Sequence, residues 1–403
     1  MSTSTPATFT PVTRFDASEF LARAEIIGQV AEEEAATAEA NRDITERLVQ
    51  TMKNAQIPDL WKPKNYGGLD TDLYTYHEMI RIVSRHNMVA GWLFYFFSIH
   101  EVWVSYMSPQ GRDELLGGGE LIGDVLAPVG KVEPDGEGFR ISGQWNFASG
   151  VRHCGWIGLG GVTQMPDGDA PEFGIFAVPV SECEIIDNWD TLGLRGTGSH
   201  GVRLDNAYVP PHRVLAANRV FAQGVPMGGE FDPAEPMYRM PFLPFFGAGF
   251  TAVCLGGAER MVNEFRQRTE KRERVFLGGA SAATSGPMPT VAAKLQMQFF
   301  EMEGLTRRYN DILQQWLDAS KTTTTDEEKA MMYALRGQIA RNGVEIGTMA
   351  SQALGATCMF KGDPVEMFTR DLLTIGAHAS HLYDDAMSVY GGALFGGPAH
   401  PVW

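Results

Sequence analysis

The sequence predicts an α+β protein with a helical N-terminal part, a β middle of barrel or sandwich type, and a C-terminal four-helix bundle. Two observations carry this. Long stretches at both ends repeat apolar residues every three or four positions. Between Glu120 and about Val214 the texture changes to short β-type runs cut by Gly, Asp and Pro. The boundaries are expected at 1–119, 120–225 and 226–403.

Helical spacing starts at Asp16 and runs to about Ile57, with Phe20, Ile27, Val30, Ile44 and Leu48 set among Glu, Ala and Arg. Pro58 breaks it, and WKPKNYGGLD (Trp61 to Asp70) is a loop because Pro63, Gly67 and Gly68 punctuate it. Two helices are expected over Tyr74–Arg85 and Val89–Met107; Ser108-Pro109 then caps a short one that stops at the Gly117–Gly119 run. The runs GFRISGQWNF, WIGLGGV, FGIFAVP and GVRLDNAYVP read as strands of an antiparallel barrel or sandwich, with Trp145 and Trp156 in its core. Beyond Pro236, helices are expected over Phe250–Phe265, over Val291–Trp316, over Glu327–Leu354 and, as one long element, over Val365–Met387. Gly278–Pro287 is a Gly/Ala/Ser-rich linker, expected to be mobile.

With 44% hydrophobic and 20% charged residues, 403 positions suit an ordinary globular protein. The net charge of −16 argues against a nucleic-acid surface or an anionic membrane. Four scattered cysteines form no CxxC pair, so disulfide scaffolding and a thiolate zinc site are not expected, and a reducing cytoplasm fits. The N-terminus shows no signal peptide, and WLFYFFSI (Trp92 to Ile99) is too short to span a bilayer.

The chemistry concentrates in two turns. NFASG (Asn146 to Gly150) and GLRGTGS (Gly193 to Ser199) each end a strand-like run in small residues bearing hydroxyls: Ser149, Thr197 and Ser199. Small residues let a flat ring lie on the backbone, while hydroxyls and N–H groups bond its polar edge. The ring placed there is a flavin. GTGSHG (Gly196 to Gly201) satisfies G-x-G-x-x-G, but a strand follows instead of a helix, so it is not read as a dinucleotide fingerprint. His378 and His381, with Asp384 and Asp385 below them, could hold a metal on a helix face; the paired Glu-x-x-His of di-iron bundles is absent, and no metal is expected.

These segments resemble the acyl-CoA dehydrogenase fold family, and within it the oxygenase components of two-component flavin-dependent aromatic monooxygenases. WKPKNYGGLD is similar to the family's Pro-x-x-Tyr-Gly-Gly loop, GQWNFASGVRHCGWIGLGG to its G-x-W-x-x-S-S-G segment, and TRDLLTIGAHASHLYDDAMSVYGG to its Arg-Asp followed by His. The resemblance implies that Ser149 bonds flavin N5, that Thr197, Gly198 and Ser199 lie beside the ring, and that Arg272 or Arg274 meets the flavin phosphate across a subunit boundary. His378 matches the active-site His and would be the base toward a phenolic substrate; His100 matches a second His that orients it. Ala148 replaces the first Ser of the family's Ser-Ser-Gly. Reduced FMN or FAD, supplied by a separate NAD(P)H:flavin reductase, would react with O₂ to a C4a-hydroperoxyflavin that oxygenates a small aromatic compound, in a homotetramer. An acyl-CoA dehydrogenase would instead need a carboxylate base. YGG (Tyr390 to Gly392) stands where many of those enzymes carry Tyr-Glu-Gly. A third possibility is a bundle that binds metal or ligand without turnover through His378 and His381.

Overall fold

The computed structural model describes residues 5–165 and 168–400. Helix α1 (Ala17–Asn41) is capped by Asp16, whose side chain accepts from the Glu19 N–H, and Thr45 caps α2 (Glu46–Asn54) in the same way. Asp72 starts α3 (Leu73–His86); Asn87 starts α4 (Met88–Ser105); Ser108 with Pro109 at the first helical position starts α5 (Pro109–Gly117). The strands are β1 (Leu121–Asp135), β2 (Gly138–Ala148), β3 (Cys154–Gln164), β4 (Pro171–Pro179), β5 (Glu184–Ile186), β6 (His200–Val209) and β7 (Val214–Leu215). They form one sheet in the order β5-β6-β2-β1-β3-β4-β7. The β1–β3 pair is parallel, so the sheet is mixed rather than wholly antiparallel as the strand pattern suggested. The turn after β2 carries the chain across β1 to its far edge, which leaves β3 running alongside β1 in the same direction.

The short helices α6 (Ala217–Gln223) and α7 (Phe242–Phe246) lead into α8 (Gly249–Lys271). The linker expected to be mobile instead folds back: β8 (Glu273–Arg274) pairs with β9 (Ala280–Ser281) in a small hairpin. Then come α9 (Met288–Asp318), α10 (Asp326–Leu354) with a capping box at Thr325 and Glu328, α11 (Pro364–Gly376) and α12 (Tyr383–Ala393). The single long helix expected over Val365–Met387 is therefore two. Helix α11 ends at Gly376, and a single 3₁₀ turn, Ala379–His381, separates the pieces. His378 causes the break locally, because its side chain accepts from the Ser380 N–H as an N-cap would, a bond available only outside the α conformation.

Two apolar cores result. One fills the sheet around Trp145, Phe176 and Ile141; the other is shared by N- and C-terminal helices, with α3 and α4 packed on α8. The Trp145 indole donates to Gly160 O at 2.9 Å, and the Arg213 guanidinium lies 4.8 Å over the Trp156 ring. The apolar stretch Phe242–Lys271 passes a length and composition test for a membrane span, yet its most apolar window is 83% buried inside the protein, as a core helix would be.

One buried charge conflicts with this packing. Glu101 on α4 is fully buried, and neither carboxylate oxygen has a hydrogen-bond partner. Burial pushes its pKa up to about 8 against the opposing charge of Lys62. A carboxyl whose folded pKa lies above its unfolded value stabilises the fold fully below about pH 4.5. That contribution is lost as pH rises through about 8, at a limiting slope of about 1.4 kcal/mol per pH unit. Glu101→Gln should therefore flatten the fall in thermal unfolding temperature between about pH 5 and pH 8. An unchanged slope would mean that Glu101 keeps its ordinary acidity.

Candidate flavin and substrate site

Four segments converge: the turns after β2 and before β6, helix α4, and the break between α11 and α12. The first turn is strained where it reaches the site. Phe147 sits at φ 74° in a bulge between Trp145 and Ala148, and its ring is 67% exposed with its neighbour Trp189 at 6.1 Å, edge to face. A bulky residue in the left-handed region costs free energy and marks a place worth explaining. Gly150 (φ 66°) and Gly198 (φ 54°) are required on packing grounds. A Cβ on Gly150 would lie 2.7 Å from the Phe97 ring, and one on Gly198 would lie 2.5 Å from Asp43 Oδ1.

The three hydroxyls singled out in the sequence are buried and bonded to one another. Ser149 Oγ lies 2.8 Å from Ser199 Oγ, which lies 2.7 Å from Thr197 Oγ1. The Thr197 hydroxyl donates to Leu194 O at 2.8 Å, and the Trp92 indole N–H donates to Ser149 Oγ at 3.1 Å. The Gly150 N–H also donates to Thr197 O, at 2.8 Å, which ties the two turns together through the backbone.

The second turn is held from the bundle. Asp371 Oδ1 accepts from the Leu194 N–H at 2.6 Å, and Arg370 donates to Leu192 O at 2.6 Å. Burial raises the Asp371 pKa to about 7, with the Leu194 N–H and Arg370 pulling the other way. Thus the Arg-Asp pair and the GLRGTGS turn, far apart in sequence, form one assembly.

Facing the hydroxyls is a ladder of rings. Trp92, Phe96 and His100 recur every four residues on one face of α4, with centroid separations of 4.8 and 4.9 Å. Across from them stand Phe246, Phe250 and His378: the His378 ring is 5.3 Å from Trp92 and 5.1 Å from Phe250. His378, Phe96 and Phe246 are half-buried. Burial, reinforced by the positive charge of Arg336, lowers the His378 pKa to about 4, so the imidazole is neutral at pH 7. Its Nδ1 accepts from the Ser380 N–H at 3.2 Å and lies 2.7 Å from Ser380 Oγ, so the ring proton sits on Nε2. His100 is differently committed. Its Nδ1 is 2.8 Å from Ile122 O, where it must donate, and its Nε2 is 3.4 Å from the carboxylate of Asp124. Both nitrogens thus face protein, and the ring presents its face, stacked on Phe246 at 6.0 Å. Burial raises the Asp124 pKa, with His100 opposing.

Arg272 and Arg274 stand apart from this cluster. They line a cleft of 740 Å³ beside the β8–β9 hairpin together with Arg268, Lys271 and Phe276. Arg272 donates to Leu354 O at 2.9 Å and Arg274 to Ser285 O at 3.4 Å, and the Phe276 side chain is wholly exposed. Among the described residues, no group of three or more His, Cys, Asp or Glu is placed to share a metal ion.

Trp92, Ser380 and Asp124 belong to this assembly without having been singled out in the sequence, whereas Asp371 was marked there by the Arg-Asp motif. For Trp92 a signal existed, namely its four-residue spacing to Phe96 and His100. For Ser380 and Asp124 only the fold reveals the contact.

The acyl-CoA dehydrogenase C-terminal domain family matches residues 248–383, and the whole architecture is acyl-CoA dehydrogenase-like. Over nearly its full length the chain resembles oxygenase components of flavin-dependent monooxygenases. It is 26% identical over 378 residues to the oxygenase component of p-hydroxyphenylacetate 3-hydroxylase from Acinetobacter baumannii, covering 92% of this chain and 87% of that one. The likeness to the flavin-dependent monooxygenase oxygenase subunit HsaA of Rhodococcus jostii is also 26%, over 373 residues, 91% of this chain and 95% of the other. The fold matches that of XiaF from Streptomyces sp., solved with FADH2 and glycerol, at a TM-score of 0.84 and 23% identity, covering 96% and 98% of the two chains.

Proposed function

We propose that this protein is the oxygenase component of a two-component flavin monooxygenase that hydroxylates a small aromatic compound, phenolic or indolic. The observation that carries the reading is the buried hydroxyl chain ending at Ser149, set opposite a ladder of aromatic rings with one neutral imidazole, His378, among them. Reduced FMN or FAD from an NAD(P)H:flavin reductase, with O₂, supplies the electrophilic oxygen. The residues fit such a ring: Ser149 retains one unused lone pair, the neighbouring positions Ala148 and Gly150 carry little side chain, and the exposed Phe147 ring stands at the edge.

Ser149, Thr197, Gly198 and Ser199 hold the polar edge of the flavin. Arg272 and Arg274 take its phosphate; their cleft is separate from Ser149 in one chain, which suits a site completed between copies in a homotetramer. His100, fixed by Ile122 and Asp124, orients the substrate as a flat wall. His378 meets the substrate oxygen by donating to it from its Nε2–H. The surrounding Trp92, Phe96 and Phe250 exclude water, which keeps the reducing equivalents from being lost as hydrogen peroxide. The cytoplasm suits both the reduced cofactor and the free thiols.

The test mixes the protein anaerobically with photoreduced FMN, or FAD, then with oxygen and a panel of phenols and indoles, and identifies products by mass. A product heavier by one oxygen atom, labelled from ¹⁸O₂, is expected. Reduction of an electron acceptor by an acyl-CoA, with no oxygen consumed, would place the protein among the dehydrogenases instead.

A further inference from the structure

Helices α3 and α9 face each other across a second cleft, of 790 Å³, lined by Leu21 of α1 and by Ala252 and Leu255 of α8 as its apolar part. Two side-chain pairs clasp it. The Tyr74 hydroxyl donates to Asp311 Oδ1 at 2.7 Å, and Arg81 donates to Glu303 Oε1 at 3.3 Å. Tyr74 and Arg81 are two turns apart on α3, so the clasps stand about 10 Å from each other. Rising numbers on α3 meet falling numbers on α9, so the two helices run antiparallel here. His77 and Glu78 therefore lie between the clasps on one side, with Thr306 and Asn310 on the other.

Thr306 Oγ1 and Asn310 Oδ1 have nothing to bond, although both side chains are more than nine-tenths buried. They sit one helical turn apart, and unpaired buried polar atoms are rare in native proteins. Asn310 Oδ1 can only accept, and Thr306 Oγ1 offers lone pairs beside it. The charged groups around them lean the same way: Glu78, Glu303 and Asp311 line the cleft against Arg81 and Arg307. Arg81 is committed, donating also to Glu259 at 2.9 Å, and Arg307 is largely exposed, 4.0 Å from Asp311. His77 adds no charge, because burial lowers its pKa to about 4; its Nδ1 donates to Leu73 O at 2.7 Å. Burial raises the Glu78 pKa, with Arg81 opposing, as befits a carboxyl short of positive charge. What the cleft lacks is a positive charge with several hydrogens to donate. We propose that it binds a small primary ammonium ion, whose N–H groups donate to Thr306 Oγ1, Asn310 Oδ1 and a carboxylate while its carbon chain lies on Leu21, Ala252 and Leu255. The site is independent of the flavin reading, since none of these residues belongs to the hydroxyl chain or to the ladder of rings.

The experiment titrates the full-length protein with n-propylammonium chloride in a calorimeter at pH 7 and constant ionic strength. Tetramethylammonium chloride, equal in charge but without N–H groups, is the control. Propylammonium should bind saturably, and tetramethylammonium more weakly by about tenfold or more. Thr306→Val and Asn310→Leu should each weaken propylammonium binding by about tenfold, the worth of one hydrogen bond, and leave flavin binding unchanged. Thr306→Val exchanges a hydroxyl for a methyl of like size, so it carries the test alone if Asn310→Leu does not fold. Equal affinity for the two ions would mean that the rim carboxylates act without the buried acceptors, and overturns the proposal. So does a Thr306→Val variant that binds propylammonium as the wild type does, or a wild-type protein that binds neither ion.

Discussion

Replacing Ser149 with Ala is expected to divert reducing equivalents from product to hydrogen peroxide. The Ser149 hydroxyl accepts from the Trp92 indole N–H and keeps one lone pair free. In the proposed function its loss removes a hydrogen bond to the cofactor edge, and one such bond is worth about tenfold. Product formed per reduced flavin should fall by that order, with peroxide rising to match; catalase-coupled oxygen uptake and product quantitation read the two arms. The substitution also leaves the Trp92 indole N–H without an acceptor, at a cost of about 1–3 kcal/mol. A lower unfolding temperature should therefore accompany the uncoupling. Unaltered peroxide yield would remove Ser149 from the reaction.

His378→Ala should have the larger effect on hydroxylation itself, about 10²-fold or more. Oxidation of bound reduced flavin by oxygen should continue, since the imidazole lies among the aromatic rings of Trp92 and Phe250 and is not part of the hydroxyl chain. The pH dependence carries independent information. With its pKa lowered to about 4 by burial and Arg336, His378 stays neutral across the working range. The wild-type rate should show no limb near pH 6.5 assignable to this group. A limb there that His378→Ala abolishes would show that the ring is more open to solvent than its surroundings indicate. Full retention of hydroxylation in the variant would dismiss the residue from catalysis.

Much of this arrangement was legible in the sequence, for reasons specific to each part. The caps at Asp16, Thr45 and Ser108 declare helix starts by local hydrogen bonding, so they read directly. The GLRGTGS turn reads because glycines at Gly196 and Gly198 and adjacent hydroxyls have few other reasons to coincide. The parallel β1–β3 pairing does not read, since a period of two marks a strand but not its partner. Nor does the break at Ala377–Leu382, because Ala-His-Ala-Ser-His is compatible with a helix until the His378 ring finds the Ser380 N–H. The commitment of both His100 nitrogens was hidden too, because Ile122 and Asp124 reach it only once the sheet docks on α4.

The carboxylate of Asp371 fastens the Leu194 turn across 177 positions of chain. A nascent polypeptide emerging from the ribosome has its β-sheet complete well before that anchor is synthesised. Until the bundle docks, the Leu194 amide has no Asp371 to hold it, and the relay that ends on the Leu194 carbonyl lacks its fixed terminus. The order of synthesis thus makes the closing of this turn one of the last events of maturation.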